Sequence, residues 1–305
     1  MDKHWNNYCT MSIVHFMAFP ATIRGDGPII ETVTKIAEDT FFGAIEIGWI
    51  KDPAVRAVAK QVVETAHIQV GHAAASALLL QKLNLNSLDE PECMKAVEQL
   101  CRSVDEAAEM GAQRVVFLSG PDPGDAGRPR ALEALVKSVK RVAAYGRDKG
   151  IALTMETFDR TVDKKCLIGP SPLAADFCKM IREDYADFGL LYDLSHMPLL
   201  YETPDTSLSV LKDYLVHIHV GNAVLGVGMP GYGDQHPRFG WPGGVNDTPQ
   251  VTEFIRGLFK AGYLKEDSPT RPWIGFEVKP QSAEEPSSLV IAGAKRVWQE
   301  AWSRA

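Results

Sequence analysis

Four short apolar runs in the second half of the chain each finish on a residue that can carry charge or hold a cation. The segment TMETFD ends its run at Glu156, and LLYDLSHM ends at Asp193 with His196 three positions on. HIHVG ends near His219, and GFEVKP near Glu277. Continuous apolar runs of this length suit strands buried on both faces of a parallel sheet. An unpaired carboxylate buried at the end of such a strand is costly, or it takes up a proton. Each of these residues alone reads as an ordinary hydrogen-bonded rim residue. Four in phase on consecutive strands call for a shared cation. Carboxylates beside imidazole make a mixed oxygen–nitrogen set, which suits Mn²⁺, Mg²⁺, Co²⁺ or Zn²⁺ rather than a thiolate-seeking metal.

Further histidines extend the set. His15 falls in the first apolar run, His72 at the end of the third (VGHAAAS), and His236 in a Gly-rich stretch. The plain alternative for each is a hydrogen-bonded core histidine. A histidine beside a metal could instead serve as a separate general base or acid.

The elements that would position these residues alternate strictly. Strand-like runs cover Ser12–Phe19, Ala44–Trp49, Ile68–Ala74, Arg114–Ser119, Ile151–Thr157, Gly189–Leu194, Leu215–Gly221 and Trp273–Val278. Helical patterns follow over Pro28–Phe41, Pro53–Ala66, Leu88–Met110, Pro129–Lys149, Pro172–Tyr185, Thr206–Tyr214, Thr248–Gly262 and Ala283–Ser303. Several open on Pro and close near Gly, the usual start and stop chemistry. Eight βα repeats predict a single (β/α)₈ barrel over residues 1–305, with its active site at the C-terminal ends of the strands. No GxGxxG follows the first strand and no GxxxxGK[ST] occurs, so an open nucleotide-binding sheet has little support. One connection is too long to be a plain turn. Residues 222–246 (NAVLGVGMPGYGDQHPRFGWPGGVN) are rich in Gly, Pro and aromatics, and are expected to form an ordered lid after the seventh strand.

Composition narrows the partners. The chain has 305 residues, 45% of them hydrophobic and 23% charged, ordinary values for a globular protein. Its net charge of −7 and scattered Lys and Arg argue against nucleic acid. The N-terminus lacks a basic region followed by an apolar one, and no apolar stretch is long enough to span a bilayer. The five cysteines form no CxxC pair. A reduced, cytoplasmic setting is expected, with no membrane partner.

The set Glu156, Asp193, His196, His219 and Glu277, with its DxxH spacing, resembles the sugar isomerase/epimerase superfamily of xylose-isomerase-like barrels. FFGAIEIGW, with Glu46, is similar to that family's second strand. The resemblance implies one divalent metal, Mn²⁺ foremost, held by Glu156, Asp193, His219 and Glu277. His196 would touch substrate or complete the shell. The metal would polarise a sugar carbonyl and stabilise an enediolate while Glu156 and Glu277 pass protons as base and acid. Their pKa values must then be separated by their surroundings.

Three departures from simple epimerases bear on the substrate. Those enzymes carry a substrate-binding Arg soon after the seventh-strand His, where this chain has NAVLG. They carry a second Glu after the first ligand, where ETFDRTVD offers Asp159, Arg160 and Asp163. They also lack the GDQHPRFGWPGG stretch, from which Arg238 or His236 could replace the missing Arg. Substrate contacts are therefore expected from His196, Arg238, His15 and Trp241, and catalytic roles from Glu156, Glu277, His72 and His236. The opening segment WNNYCTMSIVHFMAFP and the long lid also resemble the large subunits of C-glycoside deglycosidases. Those are lyases that cleave 3-oxo-glycosides by enolisation and elimination, and they work with a small partner subunit. Isomerisation or epimerisation of a carbohydrate stands first, with that cleavage as the alternative and an oligomer expected. The related DNA-repair barrels need three zinc ions and a histidine at the fourth strand. That strand ends here in Ser119.

Overall fold

Short runs rich in β-branched residues alternate with capped helices, and this pattern decides the architecture. The computed structural model describes residues 3–266 and 268–305. The strands are β1 (Thr10–Ile13), β2 (Ala44–Ile47), β3 (Gln69–Ala73), β4 (Arg114–Phe117), β5 (Ala152–Glu156), β6 (Gly189–Asp193), β7 (Leu215–Gly221) and β8 (Trp273–Glu277). All pair in parallel, in the order β1-β8-β7-β6-β5-β4-β3-β2. A parallel bridge between Val14 and Glu46 brings the end of β1 beside β2 and closes the ring. The chain is a single (β/α)₈ barrel.

Local chemistry explains where the outer helices start. Asp52 accepts from the Ala54 amide ahead of helix Pro53–Thr65, and Asp89 from the Glu92 amide ahead of helix Glu90–Met110. Thr203 and Asp247 form reciprocal capping boxes before helices Pro204–Leu211 and Thr248–Lys260. Helix Glu90–Met110 stops at Gly111, whose φ of 76° suits glycine. No helix among the described residues is long and apolar enough to cross a membrane.

The two-residue period of each strand sorts its side chains. On β8, Phe276 points outward onto Phe42 and Trp298, while Gly275 and Glu277 face the axis. On β7, His217 and His219 face the axis between the buried Ile218 and Val220. A greasy outer layer thus surrounds a polar lining near the C-terminal end.

Two local expectations are corrected. β1 ends at Ile13, because His15–Ala18 coils into a helical turn instead of continuing the strand. Additional short helices, Ala75–Leu80 and His196–Leu199, stand directly after β3 and β6.

Candidate metal centre

The last axis-facing positions of β5 to β8 converge. Asp193 pairs in register with His219, and His219 with Gly275, so neighbouring strands present their polar residues at nearly one level. Glu156, Asp193, His219 and Glu277 offer ligand atoms that all lie within 4.8 Å of one another. His219 Nδ1 lies 2.7 Å from Glu277 Oε2 and 3.8 Å from Glu156 Oε1. All four are buried; Glu277, the most open, is 8% exposed.

This cluster is short of hydrogen-bond donors. Glu156 Oε1 and Asp193 Oδ2 are buried with no hydrogen-bond partner, although Asp193 Oδ1 accepts from the Ser195 amide at 2.6 Å. Orphaned buried carboxylate oxygens are rare and costly. Three carboxylates and an imidazole whose free atoms point at one another fit a divalent cation of the hard or borderline kind. The buried group could hold a metal ion.

The carboxyls are driven apart electrostatically. Burial, and then the charge of Glu277, push the Glu156 carboxyl up to about 7. Burial would raise Glu277 too, but His236 and His219 outweigh it and hold Glu277 down at about 2.

A second polar group adjoins the first. His196 Nδ1 donates to the Thr157 carbonyl at 2.7 Å, and its Nε2 lies 3.0 Å from Asp234 Oδ1. His236 Nε2 lies 2.6 Å from the same Asp234 oxygen and 3.5 Å from Glu277 Oε1, and its Nδ1 lies 3.8 Å from Asp193 Oδ2. Lys164 Nζ adds a third positive partner for Asp234 at 3.0 Å. Burial opposes charge on both imidazoles, but nearby carboxylates prevail: chiefly Asp234 for His196, and Glu277 with Asp234 for His236, which rises to about 9. Asp234, despite its burial, is held well below the ordinary carboxylate range by His236, His196 and Lys164.

The 222–246 segment delivers Asp234 and His236. Its base is fixed by Asn246, which donates to the Leu194 and Gly221 carbonyls, each at 3.1 Å. Its far side is tied to the loop after β5, where Asp163 accepts from the Asp234 amide and the Gln235 side chain, both at 3.0 Å. Lys279, just past β8, donates its amide to the His236 carbonyl at 2.7 Å. His236 itself adopts φ of 49°, a left-handed conformation that a non-glycine residue takes only where its surroundings impose it.

Of the residues singled out from sequence, the structure brings together Glu156, Asp193, His196, His219, His236 and Glu277. Four others lie elsewhere. His72 faces the outer side of β3, toward Glu106 of helix Glu90–Met110 at 3.4 Å, because Gly71 takes the axis-facing position. His15, carried away from the axis by the helical turn after β1, bonds Thr32 at 2.7 Å in the outer layer. The Arg238 side chain, 41% exposed, pairs with Glu285 at 2.7 Å on the outer rim. Trp241 stacks beside that guanidinium and donates to the Pro230 carbonyl. None of these four reaches the carboxylate cluster.

Asp234 and Lys164 lie outside the strands and carry no strand-end signal in the sequence. The DxH spacing of Asp234 and His236 was the available signal. Asp159 does not extend the site: its carboxylate accepts from the amides of Val162, Asp163 and Lys164 and shapes the loop.

The barrel is similar to several solved structures at low identity. A D-tagatose 3-epimerase-like protein superposes with a TM-score of 0.70 at 16% identity, over 97% of this chain and 99% of that one. A D-allulose 3-epimerase from Methylomonas sp., in complex with D-allulose, gives 0.67 at 18%, over 96% and 97%. A 3-keto-D-glucoside 4-epimerase from E. coli gives 0.64 at 14%, over 95% and 99%. No curated protein matches the chain by sequence. The family model described as xylose isomerase-like TIM barrel matches residues 35–292, and the chain belongs to that family.

Proposed function

We propose that this protein is a divalent-metal-dependent sugar epimerase or isomerase that removes a proton from the carbon beside a carbonyl. The observation that carries this reading is the convergence of Glu156, Asp193, His219 and Glu277, with two of their buried oxygens lacking any partner. These four side chains are the proposed ligands, with Mn²⁺ the first candidate by donor type. When bound, the metal would polarise the substrate carbonyl and offset the negative charge that develops on its oxygen.

Glu156 and Glu277 come from strands three apart in the ring, β5 and β8, and reach the same space, so they can address a sugar carbon from different sides. Their opposite pKa shifts support a division into a group that readily holds a proton and one that readily gives it up. His196 and His236 line the same space and are proposed to bind substrate oxygens. Residues 222–246 are proposed to withdraw as a lid for sugar entry, a reading supported by the contacts of their His236 with Asp193 and Glu277 and by the burial of the proposed ligands. The sugar 3-epimerases and the 3-keto-glucoside 4-epimerase that share the fold support a carbohydrate substrate.

One observation favours a second reading, cleavage of a 3-oxo-glycoside. The His236 imidazole sits 3.5 Å from Glu277, and two-carboxylate isomerisation has no need of it. A lyase does need a donor for its leaving group. A small partner subunit belongs to that reading alone.

The test is metal analysis of the purified protein, then incubation with ketoses in D₂O. Bound Mn²⁺, with deuterium appearing beside the carbonyl of an epimerised ketose, is the expected result. A protein that binds no divalent metal overturns the proposal. Inertness to free ketoses with aglycone release from a 3-oxo-glycoside replaces it by the lyase.

A further inference from the structure

Below the carboxylate cluster lies a buried charged residue that substrate cannot reach. Glu46 projects from β2 toward the barrel axis and is 1% exposed. Its Oε1 accepts from Ser12 Oγ of β1 at 2.7 Å and lies 3.1 Å from His217 Nε2. Its Oε2 lies 2.8 Å from His219 Nε2. A carboxylate in a barrel core is retained only where partners satisfy both oxygens, and here three side chains from two strands do so.

The geometry points to Glu46 as a positioning residue that makes His219 a metal ligand through Nδ1. A carboxylate can only accept, so the His219 proton facing Glu46 resides on Nε2. The other nitrogen, Nδ1, is then the one left to coordinate. It faces the cluster, 2.7 Å from Glu277 and 3.8 Å from Glu156. A carboxylate behind a ligating imidazole holds the tautomer, fixes the ring plane and raises the basicity of the coordinating nitrogen. His217 and Ser12 in turn hold Glu46.

Gly275 provides the room for this arrangement. A Cβ at that position would lie 2.5 Å from Glu46 Oε1, 2.8 Å from His219 Cδ2 and 2.8 Å from Ser12 Oγ. Any side chain at position 275 would therefore crowd Glu46, His219 and Ser12. The glycine in IGFEV has a steric reason unconnected with backbone freedom.

This inference rests on the metal reading above, and the experiment separates the two. Mn²⁺ alone is titrated into the metal-free wild-type protein and into E46Q by calorimetry, with thermal melts of both metal-free forms. The glutamine keeps the volume but offers His219 a neutral partner, or an amide that forces the other tautomer. Mn²⁺ affinity is expected to fall about 10- to 100-fold when compared at a temperature where the melts show both metal-free forms to be folded. Binding by E46Q within about threefold of wild type, with wild type binding tightly, overturns the role of Glu46 and leaves the metal centre standing. Failure of the wild type to bind Mn²⁺ overturns both. A second measurement needs no variant. In wild-type protein loaded with diamagnetic Mg²⁺ or Zn²⁺, two-bond ¹H–¹⁵N correlation must place the His219 proton on Nε2. A proton on Nδ1 refutes the assignment.

Discussion

His236 Nε2 lies 2.6 Å from Asp234 Oδ1, and the two residues stand only two positions apart in the segment between β7 and helix Thr248–Lys260. His236 adopts a left-handed backbone at this link, with φ of 49°. The same oxygen faces His196 at 3.0 Å, so one buried carboxylate serves two imidazoles from different elements.

Asp234→Asn removes the carboxylate that both imidazoles and Lys164 share. Breaking one member of a buried ion-pair group leaves its partners uncompensated, so the variant should lose about 3 kcal/mol of stability by urea unfolding. Turnover should fall about 10- to 100-fold, since both rings lose their common anchor. Unchanged stability would mean that His196 and His236 are neutral in the folded protein.

Glu156→Gln should separate stability from function. The substitution removes a carboxylate that suffers from burial and from Glu277, and whose Oε1 has no partner. The metal-free variant should melt at or above the wild-type temperature, with turnover abolished. Mn²⁺ at about 100 times its Kd should stabilise wild type by ~2.7 kcal/mol through mass action, and the variant far less. An equal Mn²⁺-induced shift in both would remove Glu156 from the ligand set.

His72 and His236 should behave in opposite ways. His72→Asn should cost about 1 kcal/mol through its lost contact with Glu106 and leave kcat/KM within about threefold. His236→Asn should reduce kcat/KM about 10- to 100-fold, the scale of losing a hydrogen bond from a charged donor to substrate. Asparagine tolerates left-handed φ, so this second change probes the imidazole rather than the backbone. Steady-state kinetics beside thermal melts decide the matter.

His15 should contribute an acid-side loss of stability. Burial lowers its pKa from 6.5 to about 4. Between those values the unfolded chain binds a proton that the folded chain refuses. The stability linked to His15 is therefore complete above pH 6.5, declines as pH falls through that window, and levels off below pH 4. A depression of this size is worth ~3 kcal/mol. His15→Gln keeps a donor for Thr32 and should flatten the stability profile between pH 7 and 4 relative to wild type. Parallel profiles would show that His15 titrates normally.

Several features of the protein are local enough to read from sequence. Eight apolar runs alternating with capped helices are a repeated pattern, and parallel βαβ units of that number close on themselves. Glu156, Asp193 and Glu277 each stand at the last residue of a strand, and a strand end in a parallel barrel has one address, the mouth. His72 shows where such reading stops. A strand residue faces the axis or the helices according to register, and one step exchanges the two; Gly71 took the inward place. His15 was lost to a helical turn that ended β1 early. Arg238 and Trp241 lie in a segment with five left-handed glycines, Gly228, Gly231, Gly233, Gly240 and Gly243, whose path no periodicity describes. The contacts of Asp234 with His196 and Lys164, and of Glu46 with His219, join residues 38 to 173 positions apart. Such pairs exist only once the ring has closed, because closure alone brings β2 opposite β7 and folds the segment after β7 onto the loop after β5.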